Sequence, residues 1–331
     1  MSAALQLPKF AELQKLEGPY AILRPMPPGE PAGSQSADSG FGKLDGPAGD
    51  LYLLALTDDL ILIPRLEDAA RRLGGRARIA GRPEDLSVRS ESLPRPVPLT
   101  EPLEGGDAEF VRRIVDERPG LILVDLSSKA IPWQTWIQVL KTSAATRRIP
   151  IVAFGPHVEG EALERARGAG ADLVVTRGEL HASLAEIISA WARPPDLEGI
   201  ALGCREPLSQ EARRGLEQLN RGEFFEAHET LEHAWKAEAG PGRELLRSLI
   251  QVAVAYLQLE RGNRRGAQKI LLRLRQWLDP LPSPCRGVDV ESLRAQMETL
   301  RNALATPDGR DLEQIVRLAF RPIPWADERR R

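Results

Sequence analysis

Two histidines and four glutamates fall among three large aromatic residues in the string NRGEFFEAHETLEHAW, Asn220 to Trp235. Imidazoles and carboxylates are the side chains that move protons near neutral pH and that ligate divalent metals. On a helix of 3.6 residues per turn, Phe224, His228, Leu231 and Trp235 share one side, with Glu232 next to them. Glu226, Glu229 and His233 share another. His228 and Glu232 therefore form an inward i,i+4 pair, and an ionised pair beside a tryptophan costs several kcal/mol per charge unless partners satisfy it. Three solutions follow. The pair can be a polar knot closed by Gln251 on the next helix, a divalent metal site using His228 and Glu232, or a general acid-base couple. Two ligands on one helix fall short of the three or four that transition metals take from a protein, so Glu244, Gln251, Tyr256 or Gln258 would have to complete a metal site.

A second set of carboxylates lies far upstream. Asp58 and Asp59 follow the apolar run LYLLAL, and Asp125 sits within LILVDL. If both runs are buried parallel strands, the three carboxylates gather at their carboxyl ends, where a hard cation such as Mg²⁺ binds. The plainer alternative makes Asp59 a helix cap and Asp58 a solvated residue. The remaining histidines, His157 and His181, read as a strand-end loop residue and a helix-entry residue.

The elements that must position these groups are legible in order. Residues 1–50 hold a short helical pattern at Phe10 to Leu16 and then a Pro, Gly and Ser-rich run that buries too little apolar surface to offset its ordering entropy, which predicts a flexible arm. From Leu51 to about 193 strands and helices alternate, with an insertion near 87–106, and this predicts an α/β domain whose parallel sheet is covered on both faces. Pro194 and Pro195 open a linker over 194–208. Residues 209–305 have helical periodicity in successive segments joined by short Gly or Pro turns, which predicts an antiparallel all-helical bundle. Residues 306–331 form a tail with a short helical pattern at Leu312 to Phe320.

The chain has 331 residues, a formal net charge of -2 and 28% charged residues. That length implies two domains, and that balance argues against nucleic acid as a partner. No apolar run approaches the roughly 20 residues of a membrane span, and the start lacks the apolar core of a signal peptide. Cys204 and Cys285 are far apart with no neighbouring Cys or His, and read as isolated thiols in a reducing cytoplasm. Arg264, Arg265, Lys269, Arg273 and Arg275 make one helix of the second half basic, a solvated face in the simplest reading.

Two resemblances rest on these residues. LYLLALTDD, LILVDL, PIVAFGPH and GADLVVTRGE resemble successive strand ends of a response-regulator receiver domain. This implies a flavodoxin-like, doubly wound sheet of order 2-1-3-4-5, with Asp58 and Asp59 as the metal-binding acids and Asp125 as the phosphoacceptor. Two positions depart from the receiver pattern: Gly155 stands where receivers carry Ser or Thr, and Arg177-Gly178 where they carry Lys-Pro. LNRGEFFEAHETLEHAW and RELLRSLIQVAVAYLQLERGNRRGAQKILLRL resemble the family known as domain of unknown function 309. The carriers are Phe225, Glu226, His228, Glu229, Glu232, Trp235, Ile250, Gln251, Asn263, Gly266 and Ala267. That resemblance implies a small helical fold and no established activity.

Together these readings predict a regulatory or scaffolding protein. Its receiver-like domain, with the pocket Asp58, Asp59, Asp125 and Arg177, meets a protein partner. Its helical domain presents Glu226, His228, Glu229, Glu232, His233, Trp235 and Gln251 to a ligand. A metal-dependent hydrolase built on the Glu/His cluster is the alternative.

Overall fold

The computed structural model describes residues 51–88, 105–158, 160–305 and 311–326. The N-terminal arm, nearly all of the insertion near 87–106 and the terminal arginines expected from the sequence lie outside these residues. The described residues belong to one compact unit, Ala48–Arg331.

The first part alternates as the apolar runs dictate. Strands β1 (Tyr52–Leu56), β2 (Arg76–Ala80), β3 (Leu121–Asp125), β4 (Ile151–Gly155) and β5 (Leu173–Thr176) are joined by helices α1 (Leu62–Arg72), α2 (Gly105–Glu117), α3 (Trp133–Thr142) and α4 (Gly160–Ala169). Every paired strand is parallel, and the sheet runs β2-β1-β3-β4-β5. Every residue of β3 and β4 is buried, as central strands covered on both faces must be, whereas edge strand β5 is only half-buried. Leu54, Ile122 and Phe110 belong to the core on one face, and Leu53, Leu123 and Leu66 to the core on the other. The chain turns from α1 to β2 through Gly75, where a Cβ would lie 2.2 Å from the Leu51 carbonyl oxygen, so no larger residue fits. The series closes with two short helices, α5 (Arg177–Ala182) and α6 (Leu184–Trp191). Thr176 and Glu179 form a capping box at the start of α5 and fix its first residue, Arg177, at the end of β5.

The second part is helical: α7 (Leu197–Gly203), α8 (Gln210–Asn220), α9 (Phe224–Ala237), α10 (Glu244–Glu260), α11 (Arg264–Leu278), α12 (Val290–Ala305) and α13 (Leu312–Ala319). Ser209 caps α8 and Asn263 caps α11. Gly215 lets α8 approach α9, since a Cβ there would lie 2.6 Å from Leu231.

Three expectations change here. Residues 194–208, read as a linker, contain α7, capped by Asp196. The tail carries α13 where a short helix was expected, but it is more than a tail, because it continues into the core: Phe320 meets Phe224 and Tyr256 edge-on at 5.4 and 5.2 Å, and the Ile323 N–H donates to Asn220. Cys204 and Cys285 are not isolated thiols but a disulfide with Cα atoms 4.4 Å apart. Their 81-residue separation hid a pairing that only the packing of α7 beside the α11–α12 connection creates, and the argument from free thiols to a reducing compartment loses its basis. Among the described residues, no helix is long and apolar enough to cross a membrane.

Candidate functional site

At the carboxyl end of the sheet the structure brings Asp59, Asp125 and Arg177 together. β1 delivers Thr57 and Asp59, β3 delivers Asp125, and β5 with the first turn of α5 delivers Arg177. Asp125 is 1% exposed. The Thr57 hydroxyl donates to Asp125 Oδ2 at 2.9 Å and the Ser127 N–H donates to Oδ1 at 2.9 Å. Arg177 reaches both acids: one guanidinium nitrogen donates to Asp59 Oδ2, and the other to Asp125 Oδ1 and Oδ2 at 2.9 and 3.0 Å and to the Ser127 hydroxyl at 2.9 Å. Its charge also lies 5.6 Å from the Phe154 ring centre.

Asp59 is held on its other side by the N–H groups of Ile61 and Leu62, which donate to Oδ1 at 2.9 and 3.2 Å. It therefore braces the turn that leads into α1 and pairs with Arg177 at the same time. Partial burial alone would raise its proton affinity; those two N–H groups, then Arg177 and His181, outweigh burial and leave it below the ordinary carboxylate range. Asp58 stands apart. It is exposed and lines a cleft of about 500 Å³ with Gly81, Arg82, Asp85, Ser127, Lys129 and Ala130.

Arg177 thus occupies the position in which a cation would neutralise the two acids. The guanidinium satisfies two carboxylates and a hydroxyl at once through two separate nitrogens, a planar fork that a lysine ammonium does not reproduce. Among the described residues no group of three His, Cys, Asp or Glu side chains is placed to hold a metal ion, here or elsewhere. At Gly155, the end of β4, an added Cβ would lie 3.2 Å from the Leu126 Cβ, so Leu126 leaves little room for a side chain there.

The Glu/His stretch lies on α9. His228 and Glu232 are half-buried, and Glu226, Glu229 and His233 are exposed. His228 Nε2 is 3.8 Å from Glu232 Oε2, too far for a hydrogen bond, while Lys236 approaches Glu232 Oε1 at 2.9 Å. The polar knot drawn from the sequence is not formed, because Glu232 turns outward to a lysine one turn on and the Gln251 side-chain oxygen is buried without a hydrogen-bond partner. Burial pushes the His228 imidazole below its ordinary value; the charges of Glu232 and Glu229 oppose this without reversing it. Trp235 leaves the set altogether, since its ring packs under the guanidiniums of Arg243 and Arg247 at 4.1 and 5.0 Å.

Some contributors were not singled out from sequence. Thr57 and Ser127 flank the aspartates and differ from them only in lacking charge, so their adjacency was the available signal. Glu260, at the end of α10, has its pKa raised to about 7, by burial first, with Arg261 opposing and Glu226 adding to the shift. Nothing local marks it, because its neighbour Glu226 arrives from α9.

Residues 212–270, from α8 into α11, match the family model described as Domain of unknown function (DUF309). No curated protein matches the chain. Among solved structures, the signal receiver domain of a DNA-binding response regulator from Colwellia psychrerythraea 34H is 16% identical, with 42% of this chain and 99% of that chain covered and a TM-score of 0.31. The phosphorylated cyanobacterial phytochrome response regulator RcpA is 14% identical, with 44% and 99% covered and a TM-score of 0.33. A response-regulator receiver domain from Rhodospirillum rubrum is 18% identical, with 44% and 97% covered and a TM-score of 0.33. The fold of the first part is receiver-like in its five-stranded order and flanking helices.

Proposed function

We propose that this protein is a regulatory or scaffolding protein whose receiver-like domain serves as a protein-contact module without phosphoryl chemistry. One observation carries the reading: Arg177 bonds both Asp59 and Asp125. A receiver needs a free aspartate carboxylate beside a bound cation before a phosphoryl group can transfer, since the cation offsets the charge developing on the phosphoryl oxygens. Here an internal guanidinium already fills that position, the Asp125 oxygens already accept from Thr57, Ser127 and Arg177, and Gly155 supplies no hydroxyl to follow a phosphate. What stays available is the surface: the cleft beside Asp58 and Lys129, and the faces around it, which we assign to a protein partner. In the helical part we assign the half-buried His228 and its exposed acidic neighbours Glu226 and Glu229 on α9 to a ligand. The setting proposed is cytoplasmic, and nucleic acid is not the partner of this domain.

The test is direct. Incubation with acetyl phosphate and Mg²⁺ should add no mass to the protein, and Mg²⁺ should not shift its melting temperature. Arg177→Ala should acquire a Mg²⁺-dependent rise in melting temperature, because it frees two carboxylates. A phosphoryl adduct on Asp125 of the parent would end the proposal.

A further inference from the structure

A surplus of positive charge lies away from both sites, where the α/β and helical parts meet. Trp277 on α11 is nearly buried, and three guanidiniums crowd its ring: Arg273 at 5.1 Å, Arg247 of α10 at 5.3 Å and Arg148 of the α3–β4 connection at 5.7 Å. Arg247 also faces Trp235 at 5.0 Å, and Arg243 covers the same indole at 4.1 Å. Arg147 adds a fifth charge close enough to perturb Arg273. The Arg273 guanidinium is pushed down to about 10 by burial and then by the charges of Arg148, Arg147 and Arg247.

One carboxylate answers these five cations. Glu244 pairs with Arg247 at 3.0 Å, and it is itself held above the ordinary carboxylate range, by burial foremost. Among the described residues, no carboxylate lies within ion-pairing distance of Arg147, Arg148, Arg243 or Arg273. Two donors inside the cluster are fully enclosed and unpartnered: Arg247 Nε and Trp235 Nε1. Placement over two indoles holds Arg148, Arg247 and Arg273, and among the described residues the guanidiniums of Arg148 and Arg273 donate to no other side chain, which is the preorganisation that oxyanion recognition needs. Arg148 is exposed, so the cluster opens to solvent.

We propose that Arg147, Arg148, Arg247 and Arg273, braced by Trp235 and Trp277, form a binding site for a compact diphosphate anion, either inorganic pyrophosphate or a diphosphate ester. The charge selects this class. Five guanidiniums and one carboxylate leave about four positive charges, whereas one phosphoryl group brings only about -1.5 to -2. The grouping around two neighbouring indoles that share Arg247 suits a compact anion better than an extended polynucleotide, whose phosphates would track along a stripe. Because Arg147 and Arg148 come from the α/β part and Arg247 and Arg273 from the helical part, the ligand bridges the two. The site owes nothing to the acidic pocket, so it stands or falls separately from the proposed function.

The full-length protein titrated calorimetrically with inorganic pyrophosphate and with ADP, at fixed ionic strength, should bind at least one of them saturably with one site per chain. Equal affinity for both assigns the site to the diphosphate group itself; tighter binding of ADP assigns it to an ester. Arg148→Ala and Arg273→Ala should each weaken binding by roughly tenfold or more, and Arg221→Ala, whose arginine pairs with Glu223 elsewhere, should not. Arg148 lies on the surface, so Arg148→Ala should fold, and relief of like-charge repulsion should leave the melting temperature of the free protein unchanged or higher. Four results would each overturn the assignment: no saturable binding of either probe, undiminished binding in both variants, sulfate binding as tightly as pyrophosphate, or a lower melting temperature for free Arg148→Ala.

Discussion

Glu260 and His228 are two groups of the helical part whose ionisation burial resists, and they oppose each other in pH. The folded-state pKa of Glu260, about 7, lies above its ordinary value of 4.5. The folded protein therefore holds a proton that the unfolded chain has released, and this favourable contribution is complete below about 4.5 and is lost as pH rises towards 7. His228 has a depressed pKa, so its contribution is complete above about 6.5 and is lost as pH falls. Replacing Glu260 by glutamine removes the first slope alone. We expect Glu260→Gln to be more stable than the parent at pH 8 by about 1–2 kcal/mol, allowing for its partial exposure, and no more stable at pH 4. Urea denaturation at the two pH values measures this, and equal midpoints at pH 8 would contradict it.

At the scale of elements, the connection between α11 and α12 is tied to α7. Beside the Cys204–Cys285 disulfide, the Arg286 N–H donates to the Cys204 carbonyl at 2.7 Å and Arg286 Nε to the Gly203 carbonyl at 3.1 Å. Its guanidinium, 3% exposed, also pairs with Glu238 after α9. These contacts tie down a segment whose prolines suggested a linker. The cross-link closes a long loop, and its loss should destabilise the protein by roughly 2–4 kcal/mol. Cys285→Ser, and the parent under reductant, should lose that much in guanidinium denaturation while retaining native helix content by circular dichroism. A parent indifferent to reductant would show that the cross-link carries no stability.

At the scale of the whole molecule, α11 docks the helical part on α2 and α3. Leu272 packs against an apolar cluster of Val111, Val115, Val139 and Ala145. Around it Arg275 pairs with Asp116, Arg118 approaches Asp279 at 3.8 Å, and the Gln276 amide donates to the Ala144 carbonyl at 3.3 Å. Half-exposed ion pairs contribute about 0–1 kcal/mol, whereas a leucine side chain removed from water contributes about 1.5–3 kcal/mol. Apolar contact should therefore dominate the junction. Asp116→Ala should change stability by less than about 1 kcal/mol, and Leu272→Asp should cost about 2 kcal/mol or more and enlarge the radius of gyration in X-ray scattering. The reverse ranking would make the ion pairs the principal tie.

What the sequence determined by itself was everything written in short-range period. Four apolar runs became strands β1, β3, β4 and β5, the i,i+3 and i,i+4 spacings became helices, and the division of α9 into a half-buried pair, His228 and Glu232, and an exposed set, Glu226, Glu229 and His233, followed from 3.6 residues per turn. Such patterns are repeated over ten or so residues, so burial of one face settles them whatever the rest of the chain does. Tertiary structure alone decided the partners of polar groups. Arg177 meets Asp59 across 118 residues, Cys204 meets Cys285 across 81, and the arginines around Trp277 arrive from separate segments. A charge or a thiol takes whichever neighbour the chain path delivers, because its attraction is not tied to distance along the sequence; even within α9, where spacing offers Glu232 both His228 and Lys236 at i,i+4, it is the folded side chains that select Lys236.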